Sequence, residues 1–227
     1  WSFDGSKTAW SDATTGTATD SSGSGNTGTF TNMSRSTAPV RGVIGQALNF
    51  DGTDDYVQLP NLPWSFGTGE FTFSAWVKPN ALNYDYPSIV SAHDEISSNA
   101  WIFGIAKVTT TTYTAFTYGG GAGLLPGTGV LNINEWHHIL VKRSGTSVTL
   151  WVDGVLDRTY TNGGSWDQNA SYPARIGRQA RCSSCGTTER YWAGNLDDVR
   201  IYSRGLSQAE ITRLYNLGRP TLVGDID

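Results

Sequence analysis

Apolar and polar residues alternate with a period of two along most of this 227-residue chain, which is the spacing of half-buried strands. From Glu70 to Lys78, Phe71, Phe73, Ala75 and Val77 share one face, and Thr72, Ser74, Trp76 and Lys78 the other. Trp136–Arg143 and Ser147–Asp153 alternate in the same way and are joined by Ser144-Gly145-Thr146, a short hairpin loop. Asp153-Gly154 signals a further hairpin into Val155–Tyr160. Strands are also predicted at Ala47–Phe50, Asp55–Leu59, Ser88–Ala92, Ala100–Lys107, Thr112–Tyr118, Ala174–Gly177 and Leu196–Tyr202. Many short strands between Gly-, Asn- and Ser-rich turns predict an all-β chain, folded as an antiparallel sandwich or barrel.

The periodicity changes once. Ser207-Gln-Ala-Glu210 is a capping box, and Ile211, Leu214 and Tyr215 then share a helical face until Gly218 and Arg219-Pro220 stop it. One short C-terminal helix is therefore predicted, covering an edge or end of the sandwich. Residues 1–217 read as one domain, with no internal break or repeat, and 218–227 as the start of a linker. Asp51-Gly52 and Asp54-Asp55 resemble a metal loop but are read as a tight hairpin turn flanked by Phe50 and Tyr56.

Composition narrows the class. With 12% aromatic and only 16% charged residues, the chain is too apolar for disorder. No apolar run approaches the ~20 residues of a bilayer span, so a soluble protein is expected. Sixteen Lys and Arg against 20 Asp and Glu leave a net charge of −4, too little basic field for nucleic acid. The chain starts at Trp1, with neither an initiator Met nor a signal peptide, as expected of a module from a longer or processed protein. Cys182-Ser-Ser-Cys185 opens no helix and has no histidine motif to complete a zinc site. A local disulfide is the favoured reading, with free thiols as the alternative.

Three stretches point to a family: Asp20-Ser-Ser-Gly-Ser-Gly-Asn-Thr-Gly28, Gly45-Gln-Ala-Leu-Asn-Phe-Asp-Gly52 with Asp54-Asp-Tyr-Val57, and Gly194-Asn-Leu-Asp-Asp-Val-Arg-Ile-Tyr202. With Trp136-His-His138 and Leu150-Trp-Val-Asp-Gly154 between them, the chain resembles the LamG-like jelly-roll domains of the concanavalin A-like lectin/glucanase superfamily. That resemblance implies an antiparallel two-sheet jelly-roll β-sandwich with one concave and one convex sheet. It also implies a carbohydrate-binding, adhesion or accessory module of an exported, often bacterial, multidomain protein, extracellular or at the cell surface. Its partners would be a glycan or cell-surface ligand and the neighbouring domains.

Similar domains often hold a structural calcium ion between the first and last of these motifs. Asp20, Asn26, Asp197 and Asp198 supply hard oxygens of the kind Ca²⁺ takes. Ser24 stands where the family usually has asparagine. In the competing account, Asp20 closes an Asx turn and Asp197-Asp198 make backbone hydrogen bonds.

Sugars bind through aromatic faces beside polar groups that fix the hydroxyls. Most aromatics here, Phe71, Phe73 and Phe103 among them, are assigned to the core. Loop residues are the better candidates: Tyr84, Tyr86, His93, Asp94, Trp166, Arg178 and Tyr191. From Ala174 to Tyr191 four arginines (Arg175, Arg178, Arg181, Arg190) meet one acid, Glu189. Arginine forks suit carboxylates and sulfates, so an acidic glycan is conceivable. The simpler account, preferred at this point, pairs these arginines with surface acids.

A catalytic role is not expected. Related retaining glucanases carry an acid-x-acid-x-x-acid run on one strand, and the chain has none. It also lacks a Gly-x-Ser-x-Gly elbow, a P-loop and a dinucleotide fingerprint. The competing function class is a structural or protein-interaction spacer that binds no sugar.

Overall fold

A computed structural model describes residues 1–60, 65–80, 84–92, 100–167, 173–179 and 189–219. The first sheet is built from β1 (Thr8–Trp10), β2 (Gly16–Ala18), β3 (Gly28–Thr31), β6 (Tyr56–Gln58), β8 (Ser88–Ala92), β9 (Trp101–Lys107), β10 (Thr112–Tyr118), β11 (Leu124–Pro126), β12 (Leu131–Asn132) and β16 (Arg175–Ile176). Its order is β1-β2-β3-β6-β16-β8-β9-β10-β11, with β12 also on β10. The second sheet holds β4 (Pro39–Arg41), β5 (Gln46–Asp51), β7 (Phe71–Pro79), β13 (His137–Ser144), β14 (Ser147–Val152), β15 (Val155–Thr161) and β19 (Ala193–Tyr202). These run in the order β15-β14-β13-β7-β19-β5-β4. A separate ribbon pairs β17 (Arg178–Gln179) with β18 (Arg190–Tyr191).

Both sheets are antiparallel, and alternation drives them together. Phe71, Phe73, Val141 and Leu150 of the second sheet meet Val57, Phe103, Ile105 and Tyr113 of the first in one continuous core. The structure is an antiparallel jelly-roll sandwich, as the alternation and the motifs predict. Asp153 (φ 50°) and Gly154 (φ 78°) both take the left-handed region, the geometry of a tight two-residue hairpin between β14 and β15. The early strands β1–β4 are three or four residues long, too short to show a period, and β2 and β3 consist mainly of Thr and Gly.

Four expectations need correction. β5 and β6 flank the turn at Asp51-Gly52 but belong to different sheets, so this is a crossing between layers, not a hairpin. The Asp51 carboxylate still closes it as an Asx turn, accepting from the Thr53 N–H at 2.7 Å. The helix α1 (Gln208–Leu217) has the capping box read from sequence. It covers a sheet face, not an edge: Ile211 and Leu214 pack with Leu140, Trp151 and Leu206 on the outside of the second sheet. Consequently the polar side of β7 is buried too; the Thr72 hydroxyl donates to the Arg204 carbonyl and accepts from the Leu206 N–H. Finally, Trp166 is not a loop contact. It is fully buried, tilted against Phe71 at 4.8 Å, and its backbone bridges to Gly67. A single large ring that fills the end of the core outweighs the polar residues around it in sequence.

Candidate functional site

Two places gather polar chemistry. The first is the outer face of the first sheet. In β6 the core takes Val57, which leaves Tyr56 and Gln58 pointing outward, both half-buried. Arg175 pairs with Gln58 across the ladder and with Ser91 on its other side, so it stands on the same outer face. Gly177 then turns the chain off the sheet. Its φ is +81° and a Cβ there would approach Phe50 to 2.5 Å, so this position requires glycine.

The turn lays the β17–β18 ribbon over the face, where the Ser91 hydroxyl donates to the Arg178 carbonyl at 2.8 Å. The Arg178 guanidinium lies 4.7 Å from the Tyr56 ring centre and 5.6 Å from that of Tyr191. It also pairs with Glu189, which accepts a second hydrogen bond from the Tyr191 hydroxyl. Burial and that bond push Tyr191 up to about 12, so the phenol stays protonated. One step along the ribbon, Arg190 donates to Gln179 and sits 5.7 Å from the Tyr86 ring centre. Tyr86 in turn packs edge-on against Phe116 beside Ile102 and Ala106. Tyr56, Arg178 and Tyr191, with Arg190 and Tyr86 one register along, thus form a polar-aromatic band in two parts.

The second place is an open cavity of about 630 Å³ lined by Trp1, Asp20, Ser22, Asn26, Asp198 and Arg200 among others. Asp20 accepts from the Ser22 N–H and hydroxyl and from the Asn26 N–H, all at 2.8–3.0 Å. Burial raises its pKa, these bonds lower it, and the net direction is down, which favours the carboxylate. Asp198 sits at φ 48°, where the ladder between β19 and β7 is interrupted, and holds Arg200 with both oxygens. The Trp1 ammonium donates to the Val199 carbonyl at 2.7 Å. Burial lowers its pKa, while Asp198 and Asp20 oppose that shift. The cavity thus brings the Asp20 and Asp198 carboxylates from two segments together, set against the Trp1 ammonium, Arg200 and Arg204.

Of the predicted metal ligands, Asp20, Asn26 and Asp198 meet at this cavity. Asp197 does not line it. The Asp197 carboxylate is buried and clamps the loop before β5, accepting from the Val43 and Ile44 N–H groups at 2.9 Å each. Burial pushes Asp197 up to about 7. Among the predicted ligand contacts, Arg178, Tyr191 and Tyr86 share the outer face of the first sheet. Tyr84 is half-buried just upstream of Tyr86. His93 and Asp94, like Cys182 and Cys185, lie outside the described residues. Tyr56, Arg175 and Arg190 were not among the predicted contacts. For Tyr56 and Arg175 the signal was present, since each occupies the polar phase of a short strand whose partner phase is core, whereas the two residues of β18 carry no such phase.

A family model of the concanavalin A-like lectin/glucanases superfamily matches residues 51–212. The chain belongs to this superfamily. The matched segment includes the outer-face band and Asp198 and starts after the Asp20–Gly28 motif. No curated protein matches the chain in sequence. Among solved structures it is similar to domain 4 of AbnA, a GH43 extracellular arabinanase from Geobacillus stearothermophilus, solved in complex with arabinotriose. The identity is 19%, 80% of each chain is covered and the TM-score is 0.59. It is also similar to the heptameric SAP-like pentraxin of Limulus polyphemus, at 17% identity over 74% of this chain and 80% of that one, with a TM-score of 0.53. The binding domain of Paraclostridial Mosquitocidal Protein 1 aligns at 14% identity and a TM-score of 0.61, over 90% of this chain and 51% of that one. At such identities the likeness is one of fold. No helix among the described residues is long and apolar enough to cross a membrane.

Proposed function

We propose that this domain is a non-catalytic carbohydrate-binding module of a larger exported protein, taking its ligand on the outer face of the first sheet. One observation carries the reading: tyrosines and arginines converge on that face, while α1 packs on the outer face of the other sheet. Tyrosine rings offer flat apolar surface for sugar C–H groups, and guanidinium and amide groups fix hydroxyls. The fold shared with an arabinanase domain solved with arabinotriose supports the same class of ligand. A glycan array tests it. Binding to at least one glycan class, lost in Tyr56→Ala and Tyr191→Ala proteins of unchanged melting temperature, is expected. Retention by a protein partner with no glycan bound would favour the spacer reading instead.

The Asp20 cavity completes the proposal as a structural calcium site. Asp20, Asn26 and Asp198 would hold the ion, and their donors are oxygens, as a hard cation requires. Arg200 already occupies both Asp198 oxygens, so an ion there competes with that guanidinium. Bound calcium would tie the loop after β2 to the interrupted ladder of β19. A melting temperature that rises with added Ca²⁺ and falls with EGTA is expected, with both responses abolished by Asp20→Asn. A melting temperature indifferent to EGTA removes calcium from the proposal.

A further inference from the structure

The arginines of the outer face are poorly compensated. If surface acids neutralised them, each would have a carboxylate within reach. Among the described residues only Arg178 makes a direct ion pair, with Glu189, and Arg175 feels that same shared carboxylate without pairing to it. Arg175 donates from Nε to the amide oxygen of Gln58 at 3.2 Å, and Arg190 donates to the amide oxygen of Gln179 at 3.4 Å. Both are neutral acceptors, so three guanidinium groups face one carboxylate. Arg178 Nε is buried without a hydrogen-bond partner among the described residues. Burial of Arg175, together with repulsion from Arg178, makes its charged form less favourable than in water. A protein that needed these residues only for solubility would leave them extended in solvent. Here Arg178 lies over Tyr56 and Tyr191 and Arg190 over Tyr86, while Arg175 is held half-buried against Gln58.

This face carries one carboxylate, Glu189, against three guanidinium groups and offers aromatic surface beside them. We infer that the ligand of this face is an acidic polysaccharide, whose carboxylate or sulfate groups are taken by Arg175 and Arg190 while its rings lie against Tyr56 and Tyr86. The two arginines suit this role because, among the described residues, their amide partners leave donors of each guanidinium fork uncommitted, and a fork matches the two oxygens of an acid group. Arg178, held by Glu189 between two rings, acts as the positioning group between them. The inference rests on the glycan-binding reading and narrows it to one chemical class.

The test is an affinity measurement on the whole chain with four immobilised polysaccharides: polygalacturonate and alginate for carboxylates, carrageenan for sulfates, and arabinan as the neutral reference. Binding to a carboxylated or sulfated polymer over arabinan is expected, weakening steeply between low and high salt. Arg175→Gln with Arg190→Gln should weaken it by at least about a hundredfold, the value of two charge-assisted hydrogen bonds. Arg175→Lys with Arg190→Lys, which keeps the charge but loses the fork, should fold equally well and bind with intermediate affinity. Which polymer is preferred separates carboxylate from sulfate recognition. Salt-independent binding to arabinan alone, still sensitive to Tyr56→Ala, would overturn the acidic assignment and leave the carbohydrate reading standing. Binding to none of these and to no glycan on an array would overturn both.

Discussion

The outer faces of the two sheets start from the same alternating pattern and end with opposite chemistry. On the second sheet, Thr72, Ser74, Trp76 and His138 occupy the polar phase of β7 and β13, yet all four are buried. The Ser74 hydroxyl meets His138 Nε2 at 2.8 Å, and Trp76 stacks on Tyr215 of α1 at 5.7 Å. On the first sheet the corresponding phase carries Tyr56, Gln58 and Arg175, which remain half-buried and polar. The difference is a covering helix. A face that receives α1 becomes a second, smaller core. Where the first sheet receives only a two-stranded ribbon, at β6 and β16, it keeps its charges, while Ile102, Ala106 and Phe116 form a small apolar cluster further along the same face.

This contrast can be broken from either side, and the largest effect lies under the helix. Ile211→Ala removes a fully buried side chain between α1 and the second sheet. It should cost about 2–5 kcal/mol in denaturant titrations while leaving glycan affinity of the folded protein unchanged. Loss of affinity in the folded variant would show that the two faces are coupled.

Next comes pH. Burial depresses His138 from 6.5 to about 4, so the folded state prefers neutral imidazole. The stability this contributes is complete above pH 6.5 and is lost as pH falls towards 4. The loss should be on the order of 3 kcal/mol, and His138→Gln should flatten that part of the profile. A variant with the same acid limb as the parent would remove His138 as its cause.

Smaller still, Ser207→Ala deletes the hydroxyl that caps α1 by accepting from the Glu210 N–H. About 1 kcal/mol of stability should go with it. At the other face, Arg190→Gln should change stability by no more than about 0.5 kcal/mol. Its effect should appear in binding instead. If Arg190→Gln destabilised as much as the cap variant, the arginine would belong to the fold and not to the ligand face.

How much of this was readable in the chain depends on the length of each element. β7, β9, β10, β13 and β14 run six to nine residues, long enough for alternation to locate them within a residue or two. The capping box fixed the start of α1 because Ser207 and Glu210 satisfy each other's backbone N–H groups locally. β17 and β18, at two residues each, carry no period and were missed. The candidate site suffered for that reason. Arg178 and Tyr191 were singled out by type, but their meeting with Tyr56, 122 and 135 residues earlier in the chain, depends on the ribbon folding across β6 and β8. Trp166 illustrates the opposite error: its polar sequence neighbours suggested a ligand contact, and its long-range neighbours Gly67 and Phe71 make it core.

The sequence by itself determined the alternation, the turns and the cap, all set by interactions within a few residues. These are enough to specify a sandwich and its family. Which polar faces stay open was decided only by tertiary structure. Burial is a property of what arrives from elsewhere in the chain, and no local pattern distinguishes Trp76 under α1 from Tyr56 under Arg178.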